Sequence, residues 1–147
     1  MSDFNKIKEN ILFPENRAKV ISIFYNMIHK LTIDNSMPKT LVPAIKYIEK
    51  NYYDSALNNN TLAELCNISE VYLRKLFLRH LKTTPKQYIT EIRLTKANQL
   101  LSEGVLKVGA VAEECGFSNP YHFCRLFKQK NGITPSAYME QNRIDKI

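Results

Sequence analysis

Glycine and proline are scarce in this chain, four and six residues of 147. Nowhere do polar and apolar residues alternate over a sustained run. Both absences argue against a sheet-rich fold, which needs turn residues and a two-residue period. Apolar residues recur at helical spacing nearly everywhere instead, so the chain is read as all-α. No apolar run approaches the about 20 residues of a transmembrane span. The opening segment, MSDFNKIKENILFPENR, lacks the unbroken apolar region of a signal peptide. The three cysteines, Cys66, Cys115 and Cys124, are odd in number and fit no tight metal spacing. They read as reduced thiols in a cytoplasmic protein, with no disulfide, metal or cofactor expected. The only histidines are His29, His80 and His122, and no set of His, Cys and carboxylate falls at a recognisable spacing. An enzyme is therefore not expected.

What the chain does have is an apolar share of 44%, enough for a packed core, and a formal net charge of +7 with a pI near 9.3. That excess favours a polyanionic partner, nucleic acid first and an anionic membrane second.

The most informative feature is an internal repeat. LAELCNISEVYLRKLFLRHLKTTPKQYI (62–89) resembles VAEECGFSNPYHFCRLFKQKNGITPSAYM (111–139). Ala63, Glu64 and Cys66 match Ala112, Glu113 and Cys115 at an offset of 49 (115 − 66). Leu76, Phe77, Thr84, Pro85 and Tyr88 match Leu126, Phe127, Thr134, Pro135 and Tyr138 at an offset of 50 (127 − 77). One extra residue near Ser118 or Asn119 explains the change. One supersecondary unit is present twice.

Each copy carries start signals for three helices. In the first, Thr61 with Glu64 reads as a capping box opening a short helix that ends near Asn67. Ser69 caps the next, to about His80, and Thr84 caps a third with Pro85 at N1 and Gln87 at N3. In the second copy a short helix is expected from about Val108 to Cys115, with Gly116 at a tight turn. Asn119 then caps a helix with Pro120 at N1, and Thr134 another with Pro135 at N1. A short helix, a turn of three or four residues and a second helix make a helix-turn-helix. Leu73, Leu76 and Phe77 share one face at i, i+3, i+4, as do Phe123, Leu126 and Phe127, and these faces are core. The opposite faces carry Val71, Arg74, Lys75 and Leu78 in one copy and Tyr121, Cys124, Arg125 and Lys128 in the other. Arg and Lys can donate to guanine O6 and N7, and Val or Tyr can meet a thymine methyl. Two copies with matched cores and different exposed faces suit the reading of two different half-sites of double-stranded DNA.

Between the copies runs PKQYITEIRLTKANQLLSEG (85–104), with an apolar stripe of Tyr88, Ile89, Ile92, Ala97, Leu100 and Leu101 and with Gly104 at C′. From 85 to 101 a helix spans about 25 Å, a spacer suited to holding two reading helices about one duplex turn apart. Arg93 and Lys96 on it are candidates for phosphate contact.

The tandem unit, the central run Tyr88-Ile89 … Arg93-Leu94 … Ala97 … Leu100-Leu101 and the second-copy run Val111-Ala112 … Cys115-Gly116-Phe117 … Tyr121-His122-Phe123 … Phe127-Lys128 … Gly132-Ile133-Thr134-Pro135 … Tyr138 resemble the AraC/XylS family of bacterial transcription regulators. The resemblance covers about residues 41–142. It implies an all-α DNA-binding domain: subdomain one about 41–84, a linker helix about 85–103 and subdomain two about 105–142. It implies promoter binding and activation through RNA polymerase. By position, base contacts fall to Val71, Arg74 and Lys75 in the first recognition helix and to Tyr121, Cys124 and Arg125 in the second. Ser69, Arg79, Asn119, Pro120, His122 and Lys128 join Arg93 and Lys96 at or near the DNA backbone.

Residues 1–40 lie outside the repeat. NRAKVISIFYNMIHKL reads as one amphipathic helix, with Val20, Phe24, Met27 and Leu31 on one side, followed by a linker, TIDNSMPK. It is expected to pack on its own domain or to support a homodimer. The resemblance implies a sensory domain ahead of the DNA-binding part, for which forty residues leave no room. A fragment of a longer regulator and a short stand-alone regulator both fit. The competing function is a protein-interaction module that kept the fold and lost DNA binding. The cations at Arg74, Lys75, Arg79, Arg125 and Lys128 argue against it. RNA binding is disfavoured by the absence of a sheet-borne aromatic platform.

Overall fold

The computed structural model describes residues 37–144, which fall almost wholly in one compact unit beginning at Pro38. The expected N-terminal helix, and any homodimer through it, lie outside the described residues. After a 3₁₀ turn at Lys39–Leu41 come seven α-helices and, among the described residues, no strand. They are α1 (Val42–Asn51), α2 (Asn59–Leu65), α3 (Glu70–Leu81), α4 (Pro85–Glu103), α5 (Val108–Glu114), α6 (Pro120–Asn131) and α7 (Pro135–Ile144). The all-α expectation holds.

The helix starts follow from capping. Ser69 Oγ accepts from Tyr72 N–H at 3.2 Å, and Thr84 forms a full capping box with Gln87 ahead of Pro85. Asn119 Oδ1 accepts from Tyr121 and His122 N–H, and Thr134 Oγ1 from Ala137 N–H at 3.2 Å. One expectation is corrected. α2 is capped by Asn58, whose Oδ1 accepts from Thr61 N–H at 3.1 Å, and not by Thr61. Thr61 lies inside the helix, and Glu64 accepts from Asn60 Nδ2. Asn58 takes the cap because it has the extended backbone (φ −139°, ψ 171°) that a cap needs.

The repeat is visible as duplicated contacts. Phe77 meets Tyr88 edge-on, with centroids 5.7 Å apart at 74°; Phe127 meets Tyr138 at 5.5 Å and 77°. Pro85 and Pro135 are both fully buried. The turn hydrogen bonds Ile68 N–H to Ala63 O (3.1 Å) and Phe117 N–H to Ala112 O (2.9 Å) close the two short helices alike. Those bonds keep the offset of 49 through Phe117, and the caps Ser69 and Asn119 differ by 50. The extra residue is therefore Ser118.

Each copy buries its own core. Leu41, Ala44, Ile45 and Ile48 from the first turn and α1 are buried, as are Leu62, Ala63, Leu73, Leu76 and Phe77. Leu94, Ala97, Leu101, Val111, Ala112, Cys115, Phe117, Phe123 and Phe127 form the second cluster. Leu126, expected in that core, is only half-buried against its edge. α4 serves both copies. Tyr88 packs on Phe77, whereas Leu94, Ala97 and Leu101 belong to the second cluster. Leu94 is only 2% exposed yet lies off the expected stripe, because α4 is covered on more than one side. At 19 residues this helix is about 28 Å long, and it ends at Gly104 in a left-handed cap (φ +71°).

Candidate nucleic-acid interface

α2 and α3 form one helix-turn-helix, α5 and α6 the other. Burying Leu73, Leu76 and Phe77 turns the opposite side of α3 outward, so Val71, Arg74, Lys75 and Arg79 are exposed. Burying Phe123 and Phe127 does the same for Tyr121, His122, Arg125 and Lys128 on α6. Two apolar side chains stand out among these cations: Val71 is 68% exposed and Tyr121 87%. Tyr72 and Leu78 on α3 are exposed as well. Exposed apolar groups beside Arg and Lys suit thymine methyls next to base-edge acceptors. α6 carries no acidic side chain, and on α3 the only one is Glu70, in the first turn.

Not every candidate is free. Ser69 and Asn119 have their side-chain oxygens committed to helix caps. Pro120 is exposed at N1. Cys124, expected on the outward face, is half-buried against the second core. One step from Phe123 on a helix, it sits at the boundary of the buried face. Arg93, expected at the DNA backbone, is engaged internally: Nε donates to Tyr52 O and Nη2 to Asp54 O, both at 2.7 Å. Burial pushes its pKa down, with Asp54 pulling it back up. Lys96 is exposed, with Nζ 5.9 Å from the centre of the Tyr52 ring.

α3 and α6 open onto a common cleft of about 640 Å³. Arg74 reaches it from α3, His122 and Lys130 from α6, and Lys86 and Thr90 from α4 between them. Lys130 is held by an ion pair with Glu91 of α4. Lys86 is exposed here and was not foreseen; a lone cation one residue after a helix-starting Pro gives no signal until the fold sets it between α3 and α6. Among the described residues no cluster of His, Cys, Asp and Glu is placed to hold a metal, and no helix is long and apolar enough to cross a membrane.

The cysteines make a simple test of this surface. Burial pushes the Cys66 thiol up, and burial with the nearby Glu114 pushes Cys115 up to about 12. A thiol reagent at mildly alkaline pH is expected to modify Cys124 first in the native protein, and Cys66 and Cys115 only as the chain unfolds. Peptide mapping would check it; early labelling of Cys115 would contradict the packing of α5 against α6.

Comparison with known proteins agrees with this geometry. A helix-turn-helix domain family model matches residues 62–141. The Msm operon regulatory protein of Streptococcus mutans is 31% identical over 107 residues, 73% of this chain and 38% of its own length. The chain thus spans less than half of that relative. Among solved structures, the C-terminal domain of the response regulator AraT from Geobacillus stearothermophilus superposes with a TM-score of 0.69 at 29% identity, covering 73% of this chain and 88% of that one. A probable AraC family transcriptional regulator from Rhodopseudomonas palustris gives 0.65 at 31%, covering 71% and 98%. The family match falls on the two units whose caps, turns and buried rings repeat, and the chain therefore belongs to the AraC-type family of helix-turn-helix transcription regulators, of which residues 62–141 carry the DNA-binding domain.

Proposed function

We propose that the protein regulates transcription by inserting α3 and α6 into two successive major-groove segments of one promoter site. The observation that carries this reading is the pair of outward faces, matched in their buried sides and different in their exposed ones, joined by one helix and opening onto one cleft. Different faces read different half-sites. Val71, Arg74 and Lys75 read one, and Tyr121 and Arg125 the other. Arg79, Lys86, His122 and Lys128 grip phosphates. Contact with RNA polymerase at an activated promoter is the regulatory outcome we propose, and loss of reporter induction on deleting the gene would support it.

The test is a binding selection from a random duplex library at two salt concentrations. The expected motif is bipartite, with half-sites about 10 bp apart and affinity falling steeply with salt. Arg74→Ala is expected to relax base preference in one half-site only and to cost about 1–3 kcal/mol of binding. An unchanged motif for that variant would refute the assignment of α3, and no enrichment at either salt would refute specific reading altogether.

A further inference from the structure

Two helix-turn-helix units on one linker helix have a fixed axial separation, but a shared helix does not by itself stop one unit from pivoting about it. A second connection is built off the axis of α4. At the end of α1, the carbonyls of Tyr52 and Asp54 accept from Arg93 of α4, each at 2.7 Å. The same guanidinium lies 5.9 Å from the centre of the Phe117 ring, in the turn of the second helix-turn-helix. Beside it, Gly116 presses directly on the first unit: a Cβ there would stand 2.6 Å from Tyr52 O and 2.8 Å from Tyr53 O. Lys96, one turn along α4, covers the Tyr52 ring. Three segments far apart in sequence thus meet at one side chain. The chemistry suits arginine. Carbonyls at and just beyond a helix C-terminus lack intrahelical partners, and a cation there is also favoured by the helix dipole. A planar guanidinium can hold two acceptors while stacking on a ring, which an ammonium cannot do in one geometry.

We infer that Arg93 is a positioning residue that sets which spacing between the two half-sites the protein accepts. The inference rests on the two-helix reading above. Each inserted base pair rotates the second half-site by about 35° about the duplex axis, since one turn takes about 10–10.5 bp. A braced joint cannot follow that rotation without breaking the Arg93 contacts, and a loosened one can. Arg93 needs no contact with DNA for this.

The experiment uses the full 147-residue chain and a duplex set in which the selected half-sites are held constant and the spacer is varied base pair by base pair. For the wild type, adding or removing one base pair is expected to weaken binding about tenfold, the scale of one mismatched pair. For Arg93→Ala, the spacer profile is expected to flatten to within about threefold while both half-site motifs stay as they were. Arg93→Lys is expected to flatten it too, because the charge remains but the double carbonyl contact is lost. Thermal melts show which variants are folded, and Arg93→Lys decides if Arg93→Ala is not. A spacer profile as sharp as the wild type in the folded variant would overturn the inference. So would uniform weakening at every spacing for Arg93→Ala with full recovery in Arg93→Lys, since that is the behaviour of a phosphate-gripping charge. A single-motif selection for the wild type would instead remove the two-helix reading, and this inference with it.

Discussion

Gly116→Ala is expected to destabilise the protein by about 3 kcal/mol, the sum of a left-handed backbone cost of about 1–2 and an overpacking cost of about 1–3. Gly116 has φ +81°, and its missing Cβ leaves room for the Tyr52 and Tyr53 carbonyls, which would otherwise stand at 2.6 and 2.8 Å. Backbone carbonyls committed to a helix end cannot swing aside as a flexible side chain can. Gly132 is the control: it has φ +78° and nothing within 4 Å of a built Cβ, so Gly132→Ala carries only the conformational cost of about 1–2 kcal/mol. The repeat supplies a sharper comparison. Asn67 occupies the matching turn of the first unit, also left-handed at φ 53°, and is exposed. Asparagine tolerates that backbone region, so Gly116→Asn keeps the conformation and adds the clash. If close approach is what demands glycine, Gly116→Asn is still destabilising by about 1–3 kcal/mol, whereas Asn67→Gly stays within about 0.5 kcal/mol. Urea unfolding of the four variants decides it; a neutral Gly116→Asn would mean that the two units do not touch at this turn in solution.

The same turn shows what a sequence can and cannot disclose. The repeat, the caps at Ser69, Thr84, Asn119 and Thr134, and the left-handed ends at Gly104 and Gly116 were legible, because each depends on a few neighbouring residues. The cap of α2 was misplaced because Leu57-Asn58-Asn59-Asn60-Thr61 offers four cap-competent residues in a row, and only the path of the incoming chain selects Asn58. α1 has only a weak start signal, Pro43 in its first turn: its N-cap is Leu41, with no side-chain cap, and burial of Ala44, Ile45 and Ile48 holds it. Leu94 does not fall on a single apolar stripe because α4 is covered on more than one side. For Arg93 the reason is distance along the chain. Its acceptors lie 41 and 39 residues away, and no local pattern separates such an arginine from one facing solvent. The outward residues of the candidate interface were legible by elimination, because the core stripes of α3 and α6 fix which side is left exposed. Cys124 was the exception, since a residue next to a core position can fall on either side of the boundary.

If α6, anchored by one face, reads DNA with the other as proposed, stability and DNA binding should separate along it. Phe123→Ala is expected to cost about 3–5 kcal/mol of stability. The ring is fully buried and lies in a continuous aromatic run, 5.0 Å from Phe117 and 5.6 Å from Phe127, which in turn meets Tyr138 of α7. Truncation removes the middle of that run and leaves a void among tightly packed rings. A loss of that size is a large part of the about 5–15 kcal/mol that holds a domain together, so the second unit should melt at markedly lower denaturant. Tyr121→Ala, two residues earlier on the same helix, removes a ring that is 87% exposed. It should leave stability within about 0.5 kcal/mol and, on the proposed reading, weaken binding to DNA carrying the second half-site. Measuring both variants by urea unfolding and by DNA titration tests the two faces together. Equal destabilisation by the two substitutions would place Tyr121 in the core and remove α6 as a reading helix. A stable Phe123→Ala would mean that the aromatic run does not anchor it.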